Sequence, residues 1–350
     1  MGFEEILGHE RAVALMRSFL SGERTPHAVL LEGPEGVGKS LVAREFARGL
    51  LCRAEVARRP CGECSACRRA LSGSHPGLTY IDTPDDARLI RIESVHELLR
   101  EAHLRPLEGD SKVLLIPRAE RMNPAAANAL LKTLEEPPPG TYLVLTAVRT
   151  TLLPTTILSR CARVRMGRLP LETVERILTE RVGVSADDAR ALAAYSGGSP
   201  GRAAEAAGAR VRDYRRFAAD RLAALPGADD DRIREAASEA LDLAYSAAED
   251  HEDLTRTESR RVELLRLIEV ASLYLRDVHV LASCGGGAAL FNRDLAVEIE
   301  GAAARLGPAG SGRALSALER SRTDIASNCR PEAAMLVACG ELSGCHRASA

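Results

Sequence analysis

The first 168 residues alternate short apolar runs with longer segments whose apolar residues recur at helical spacing. Each short run predicts a buried strand and each longer segment predicts a covering helix. This alternation is typical of an α/β fold, in which a parallel sheet carries helices on both faces. The candidate strands are His27–Leu31, Leu78–Asp82, Lys112–Ile116, Tyr142–Thr146 and Ala162–Arg165.

The pattern changes after residue 168. Between residues 169 and 208, three short amphipathic segments, separated by Gly183 and by a turn at Ser196–Gly201, predict a small helical lid. Beyond that point strand signals disappear, and long stretches such as Ser259–Ser283 carry apolar residues at i, i+3 and i+4. We therefore expect a core at 1–168, a lid at 169–208 and an all-helical domain at 209–350.

Composition narrows the classes of function. A chain of 350 residues with 45% apolar and 27% charged residues is expected to fold into two or three globular domains. The formal charge of -2 provides no overall basic field, which argues against a free-standing DNA-binding protein. The first residues do not form a signal peptide, and no apolar run approaches the ~20 residues of a membrane span. We expect a cytoplasmic protein without a membrane partner.

A phosphate-binding loop is the strongest single motif. Residues Gly33 to Ser40 complete the pattern G-x-x-x-x-G-K-S between an apolar strand and a helix predicted over Leu41–Leu51. Backbone N–H groups of such a loop surround phosphates, Lys39 would reach the β and γ phosphates, and Ser40 would bind Mg²⁺. The sequence thus predicts an ATP or ADP site, the alternative being a glycine-rich turn without a ligand. The candidate loop residues are Gly33, Pro34, Glu35, Gly36, Val37, Gly38, Lys39, Ser40 and Leu41.

The residues that would hydrolyse the nucleotide are missing. The third candidate strand should end in an Asp that binds Mg²⁺ and a Glu that polarises the attacking water, but Pro117 and Arg118 stand there. Glu120 lies too far past the strand end to replace them comfortably. The next strand runs into Ala147 and Val148, where a polar residue is expected near the γ-phosphate. We therefore expect weak or structural nucleotide binding with very slow hydrolysis.

Four cysteines form a candidate metal site. Cys52, Cys61, Cys64 and Cys67 give C-x8-C-x2-C-x2-C within an insertion between a helix and a strand. Four thiolates with no open position are typical of structural Zn²⁺. An iron–sulfur cluster and a redox dithiol are the alternatives on ligand count. A zinc ion here would supply folding energy to a polar segment and carry no chemistry.

Two arginines are candidates for contacts with phosphate. Arg160 precedes the last candidate strand, where it could either enter a neighbouring subunit's nucleotide site or form a surface salt bridge. Arg202 opens a helix of the predicted lid, from which it could contact the γ-phosphate of the chain's own nucleotide.

These motifs, in this order, resemble the bacterial clamp-loader AAA+ subunits almost from end to end. The resemblance implies an AAA+ core, a lid and a helical collar that joins five subunits into an open spiral around primer-template DNA. It also implies that Arg160 is the family's trans-acting arginine finger and Arg202 its lid arginine. Besides the P-loop and the four cysteines, the motifs are His27-Ala28, His75-Pro76, the run Ile92 to Lys112, the run Ala125 to Pro138, and Ser159-Arg160-Cys161.

Within that family, the resemblance favours the delta-prime type over the gamma or tau motor type. Pro117 and Arg118 replace the acids, and the segments Tyr274–Asp277 and Asn292–Asp294, with Asn328 before a final apolar helix, look like a delta-prime collar. The length of 350 residues also favours the delta-prime type under this resemblance, because tau subunits are expected to carry a long extension. Some delta-prime subunits have lost the P-loop, whereas this chain retains it.

The resemblance therefore implies a stator within the DNA polymerase III holoenzyme, with little or no ATPase activity of its own. Its implied partners are the gamma or tau and delta subunits, the sliding clamp and, collectively, primer-template DNA. Two alternatives remain from the residues alone. One is an autonomous ATPase motor of the gamma or tau type, and the other is a zinc-dependent nucleic-acid-binding module with a vestigial P-loop.

Overall fold

The computed structural model describes residues 2–22, 25–81, 89–104, 108–207, 211–249, 255–285, 289–327 and 329–345. The chain divides into two compact units, Met1–Thr173 and Val174–Ala350. The finer division into core, lid and collar remains a prediction. Two residues used above, Asp82 and Asn328, lie outside the described residues.

The first unit contains a five-stranded sheet in which every neighbouring pair is parallel. The strand order is β2-β3-β4-β1-β5, so β1 lies between β4 and β5. β3 and β5 have the predicted bounds, β1 and β4 differ from prediction by one residue at each end, and β2 ends two residues earlier than predicted. The strands are β1 Ala28–Glu32, β2 Leu78–Tyr80, β3 Lys112–Ile116, β4 Thr141–Ala147 and β5 Ala162–Arg165.

Helices cover both faces of this sheet, because alternate strand residues point to opposite sides and both sides are apolar. Val29 and Leu31 of β1 belong to a core shared with α1 and α2, whereas Leu30 belongs to a second core shared with α4 and α5. The predicted α/β fold class is thereby confirmed. The helices are α1 Glu10–Ser21, α2 Lys39–Leu51, α3 Ser65–Leu71, α4 Ile92–His103, α5 Pro124–Glu135 and α6 Thr155–Leu158.

The described part of the second unit is helical. α7 Leu171–Ile177 crosses the boundary between the units and continues as a π-helical turn, Leu178–Val182, that ends at the left-handed Gly183. The longest helix, α13, is interrupted at Gly307 (φ 61°), directly before Pro308. The α-helices of the second unit after α7 are α8 Ala186–Ser196, α9 Pro200–Ala207, α10 Val211–Asp220, α11 Asp230–Ala248, α12 Arg256–Cys284, α13 Ala296–Ala326 and α14 Pro331–Ser343.

A buried polar network joins the two segments that carried the collar resemblance. Asp277 Oδ2 accepts hydrogen bonds from the backbone N–H and the side-chain Nδ2 of Asn292, both at 2.8 Å. The Arg215 side chain is only 3% exposed, and its Nε donates to Asn292 Oδ1 at 2.9 Å. Its two terminal nitrogens pair with Asp188 and Asp294. A buried guanidinium is tolerated here because carboxylates and an amide surround it.

No helix within the described ranges combines the length and the apolar character that crossing a bilayer requires.

Candidate nucleotide-binding and metal sites

The P-loop joins the carboxyl end of β1, which lies between β4 and β5 in the sheet, to α2. Gly33 adopts φ 155°, and a Cβ placed on it would lie 1.9 Å from the Met166 carbonyl oxygen. Only glycine fits at that point, because the backbone of the segment after β5 passes directly against it. The Gly33 N–H donates to the Ala147 carbonyl at 3.1 Å, which fixes the loop to the end of β4.

The rest of the loop turns through left-handed backbone into the helix. Gly36 has φ 71° and Gly38 has φ 102°, and Gly38 is the N-cap of α2. The helix therefore begins at Lys39, two residues earlier than predicted. Its first N–H groups have no partner within the helix, which suits an anion.

The Lys39 side chain folds over this loop. Its Nζ donates to the carbonyl oxygens of Gly33 at 2.8 Å and Pro34 at 2.6 Å. Burial lowers the pKa of the Lys39 ammonium below its ordinary value, while the charges of Glu120 and Glu35 oppose that shift. The following residue, Ser40, is exposed at the start of α2. The loop thus offers glycine backbone, an ammonium and a hydroxyl, which is the donor set that a magnesium–nucleotide complex requires.

His9, which the sequence analysis did not single out, contacts the backbone of the P-loop. His9, the N-cap of α1, places Nε2 2.7 Å from the Val37 carbonyl oxygen. Burial lowers the pKa of His9, so the neutral ring is favoured there. The only sequence signal for this role was the position of His9 after Gly8 and before a helix.

The residues at the end of β3 form a positively charged edge of the pocket. Arg118 has left-handed backbone (φ 48°), which is uncommon for a residue other than glycine. Its N–H donates to Thr146 Oγ1 at 3.1 Å, and its guanidinium pairs with Glu35 of the P-loop at 3.0 Å. A guanidinium therefore stands beside the loop at the sequence position where a hydrolytic acid was expected.

Glu120 is hydrogen-bonded to the residue that follows β4. Its Oε1 accepts a hydrogen bond at 3.1 Å from the N–H of Val148, the residue that follows β4. Glu120 belongs to the 3-10 turn Ala119–Arg121, which follows β3. Whether it can replace the missing acids remains a prediction. The apolar side chains of Ala147 and Val148 are thus accompanied by a carboxylate from another segment.

The four predicted metal ligands are brought together at one point. Their Sγ atoms all lie within 4.8 Å of one another, with Cys52 4.0 Å from Cys64 and Cys61 3.9 Å from Cys67. Four sulfurs at ~2.3 Å from a tetrahedral zinc ion would be about 3.8 Å apart, so the arrangement fits that ion. All four cysteines are free thiols.

Backbone N–H groups surround these sulfurs. The N–H of Cys67 donates to Cys64 Sγ at 3.3 Å, and the N–H of Cys64 donates to Cys61 Sγ at 3.4 Å. Burial opposes ionisation of Cys64, but the N–H groups of Arg53 and Cys67 lower the pKa of its thiol to about 6. Such N–H···S bonds favour thiolates, which are the form that binds metal.

Arg160 lies on the surface of the first unit, in the turn between α6 and β5. Its guanidinium donates to the Thr156 carbonyl at 3.0 Å and to Glu135 Oε1 at 2.5 Å. The side chain is 33% exposed and its partner Glu135 is 50% exposed. The neighbouring Cys161 is buried, which raises the pKa of its thiol to about 12 and leaves it unreactive.

Arg202 lies in the second unit, near the start of α9. It pairs with Glu269 of α12 at 3.4 Å and stands over the Tyr195 ring at 5.5 Å. These contacts connect the predicted lid to the helix predicted to belong to the collar. The proposed contact of Arg202 with a γ-phosphate remains a prediction.

Comparison with known proteins shows a similarity of this chain to subunits of DNA polymerase III. A family model described as DNA polymerase III, delta subunit, matches residues 8–170. The delta' subunit of DNA polymerase III from Pseudomonas aeruginosa is 39% identical over 194 residues, which cover 54% of this chain and 58% of that protein. The tau/gamma subunit from Haemophilus influenzae is 38% identical over 167 residues, 48% of this chain and 24% of that protein.

The chain therefore spans less than two thirds of the length of these relatives. Delta' and tau/gamma subunits match it at nearly equal identity, so the comparison does not separate these two types. A solved structure of a gamma-subunit-related protein of DNA polymerase III from Thermotoga maritima resembles the chain with a TM-score of 0.42 and 16% identity, over 96% of this chain and 99% of that one.

Proposed function

We propose that this chain, whose residues 8–170 match the family model described as DNA polymerase III, delta subunit, belongs to the clamp-loader family and acts as a subunit of the delta-prime type. In this proposal it is a stator of a cytoplasmic clamp loader that helps place the sliding clamp on primed DNA. Its partners would be a gamma or tau motor subunit, a delta subunit and, through the whole complex, the clamp and primer-template DNA.

The observation that carries the proposal is the replacement of the hydrolytic acids. Pro117 cannot bind a metal ion, and Arg118 directs a guanidinium towards Glu35 of the P-loop at 3.0 Å. A fixed positive charge at this edge can stabilise phosphate but cannot accept a proton from an attacking water. The arrangement favours binding of a nucleotide over its hydrolysis.

Arg160 is proposed to act on a neighbouring subunit's nucleotide. Its surface position and its pairing with a half-exposed carboxylate leave it able to exchange Glu135 for a phosphate. A surface ion pair of this kind contributes about 0.2–1 kcal/mol, which is a small cost to break. An arginine supplied in this way stabilises the charge on the transferring phosphoryl group.

The proposal also assigns a nucleotide site, a zinc site and a lid arginine to the residues predicted from the sequence. Lys39 and Ser40 would hold ATP or ADP with Mg²⁺, and the four cysteines would hold Zn²⁺ as a structural element. The Zn²⁺ ion would supply folding energy to its segment, with Cys52, Cys61, Cys64 and Cys67 as its ligands. Arg202 would connect the lid of this subunit to its own nucleotide.

A motor subunit of the gamma or tau type is the second candidate, because the P-loop is complete and tau/gamma subunits match at 38% identity. ATP hydrolysis by the isolated chain separates the two. The stator proposal predicts turnover near background, whereas a motor would hydrolyse ATP at an ordinary rate and would lose that activity in Lys39→Ala.

A reconstituted complex tests the contribution of Arg160. The chain is combined with motor and delta subunits, clamp and primed DNA, and both ATP turnover and clamp loading are measured. Arg160→Ala should abolish the ATPase stimulation that the chain gives to its motor partner, while Arg100→Ala, an exposed arginine of α4, should retain it. The proposal fails if Arg160→Ala stimulates as well as the unmodified chain.

A further inference from the structure

Glu120 occupies a specific position beside the P-loop that none of the roles above uses. Its Oε1 is held by the N–H of Val148 at 3.1 Å. The residue before Val148 is Ala147, whose carbonyl accepts the N–H of Gly33 at 3.1 Å. The carboxylate is therefore anchored one residue away from the backbone bond that begins the P-loop.

The second oxygen of this carboxylate lacks a partner. Glu120 Oε2 is buried and accepts no hydrogen bond from any residue that the structure describes. A buried acceptor without a donor is unfavourable, and such atoms in a native protein call for a specific explanation. The oxygen can accept a hydrogen bond or contact a cation, and a water molecule or a bound ion would satisfy it.

The cationic side chains nearby do not fill this role. Arg118 directs its guanidinium to Glu35 at 3.0 Å, and Lys39 Nζ donates to the carbonyls of Gly33 and Pro34. The charge of Glu120 nevertheless acts on Lys39, since it opposes the effect of burial on the pKa of that ammonium. The carboxylate is thus within electrostatic range of the group that would hold the phosphates.

The unpartnered oxygen Glu120 Oε2 limits the chemistry of the ligand, because it can contact only a hydrogen-bond donor or a cation. Phosphate oxygens are acceptors at neutral pH and cannot donate a hydrogen bond to another acceptor. A nucleotide without a metal ion would therefore add negative charge near the Glu120 carboxylate and leave Oε2 without a donor. A divalent cation carried by the nucleotide supplies the missing positive charge, and Mg²⁺ prefers oxygen ligands and bound water. Pro117 and Arg118 offer no carboxylate for that purpose.

We propose that Glu120 faces the divalent cation of a nucleotide bound at the P-loop, replacing from the 3-10 turn the acid that the end of β3 lacks. This inference deepens the proposed nucleotide binding and rests on it. It makes the magnesium complex, not the free nucleotide, the ligand of this subunit.

The test is the dependence of nucleotide affinity on Mg²⁺ in the isolated full-length chain. The dissociation constant of a fluorescent ADP analogue is measured once with MgCl2 and once with EDTA, for the unmodified chain and for Glu120→Gln. The glutamine keeps an oxygen for the Val148 N–H and removes the charge. Mg²⁺ should tighten binding to the unmodified chain, and Glu120→Gln should reduce that gain at least about fivefold, the lower end of typical coupling between two ligands.

Each variant supplies its own reference, because the result is a ratio of two affinities in one protein. A general loss of stability would weaken both measurements and leave the ratio unchanged. Glu97→Gln, an exposed carboxylate of α4 in the same unit, is the matched charge control and should keep the full gain. Glu120→Asp retains the charge on a shorter side chain and should lie between the two.

Three results would overturn the inference: a full Mg²⁺ gain in Glu120→Gln, an unmodified chain whose affinity ignores Mg²⁺, or no nucleotide binding at all. The Arg160-dependent stimulation of the motor subunit does not require nucleotide at this pocket. If the Glu120 inference is wrong, Arg160→Ala should still abolish the stimulation of the motor subunit. If the role proposed for Arg160 is wrong, the dependence of nucleotide affinity on Mg²⁺ still tests Glu120.

Discussion

Removing the metal from the four-cysteine module should unfold that module while leaving the sheet in place. Among its residues, the buried side chains are small: Cys52, Ala66, Cys67 and Ala70. Burial of the two alanine methyl groups is worth about 2 kcal/mol at ~0.8 kcal/mol per group. A structural zinc ion contributes an apparent 10–16 kcal/mol in small zinc domains, roughly five times more. The metal should therefore dominate the stability of residues 52–71.

Limited trypsin digestion reads out this difference. After chelation the module should be cut rapidly, and Cys64→Ser should behave like the chelated protein, whereas Cys284→Ser, at an exposed cysteine of α12, should resist. Metal analysis should give about one zinc ion per chain before chelation. Equal resistance with and without the metal would refute the reasoning. The cleavage sites within the module follow Arg53, Arg58, Arg68 and Arg69, because trypsin does not cut the bond between Arg59 and Pro60.

Two further substitutions test the packing around the site and within the second unit. Gly33→Ala should abolish nucleotide binding, because its Cβ would lie 1.9 Å from the Met166 carbonyl oxygen. Gly73 is also at positive φ but has open space around it. Gly73→Ala should therefore lower the free energy of unfolding, measured by thermal unfolding, by only about 1 kcal/mol. Arg215→Ala should destabilise the second unit by about 3 kcal/mol in hydrogen exchange, the lower end of the cost of breaking a buried pair, because it leaves the buried Asn292 and the part-buried Asp188 and Asp294 without their partner. The adjacent and exposed Arg216→Ala should cost less than about 1 kcal/mol by the same measurement.

Much of the first unit could be predicted because β1 and β3 are largely apolar, fully buried runs, while β5 alternates arginines with apolar residues. β3 and β5 were placed with their observed bounds, and β1 was displaced by one residue. The start of α2 was placed too late, because periodicity begins with the apolar residues while the helix begins at the left-handed Gly38. Local patterns thus identify an element reliably, whereas the backbone conformation of a single glycine determines its boundary.

The spatial neighbours of the pocket were harder to predict. The hydrogen bond between Glu120 and Val148 joins residues 28 positions apart, and no sequence pattern indicated it. The pairing of Glu135 with Arg160, 25 positions apart, was likewise not anticipated. The four cysteines could be predicted as a cluster, because their residue type and short spacing indicate a metal site. Contacts between ordinary carboxylates and arginines across a fold leave no such pattern.

The most direct test of the central claim is the ATPase activity of the chain alone and with its motor partner. The account predicts background hydrolysis by the isolated chain, stimulation of the motor subunit on mixing, and loss of that stimulation in Arg160→Ala. Rapid hydrolysis by the isolated chain that disappears in Lys39→Ala, with no effect of Arg160→Ala on the partner, would contradict it.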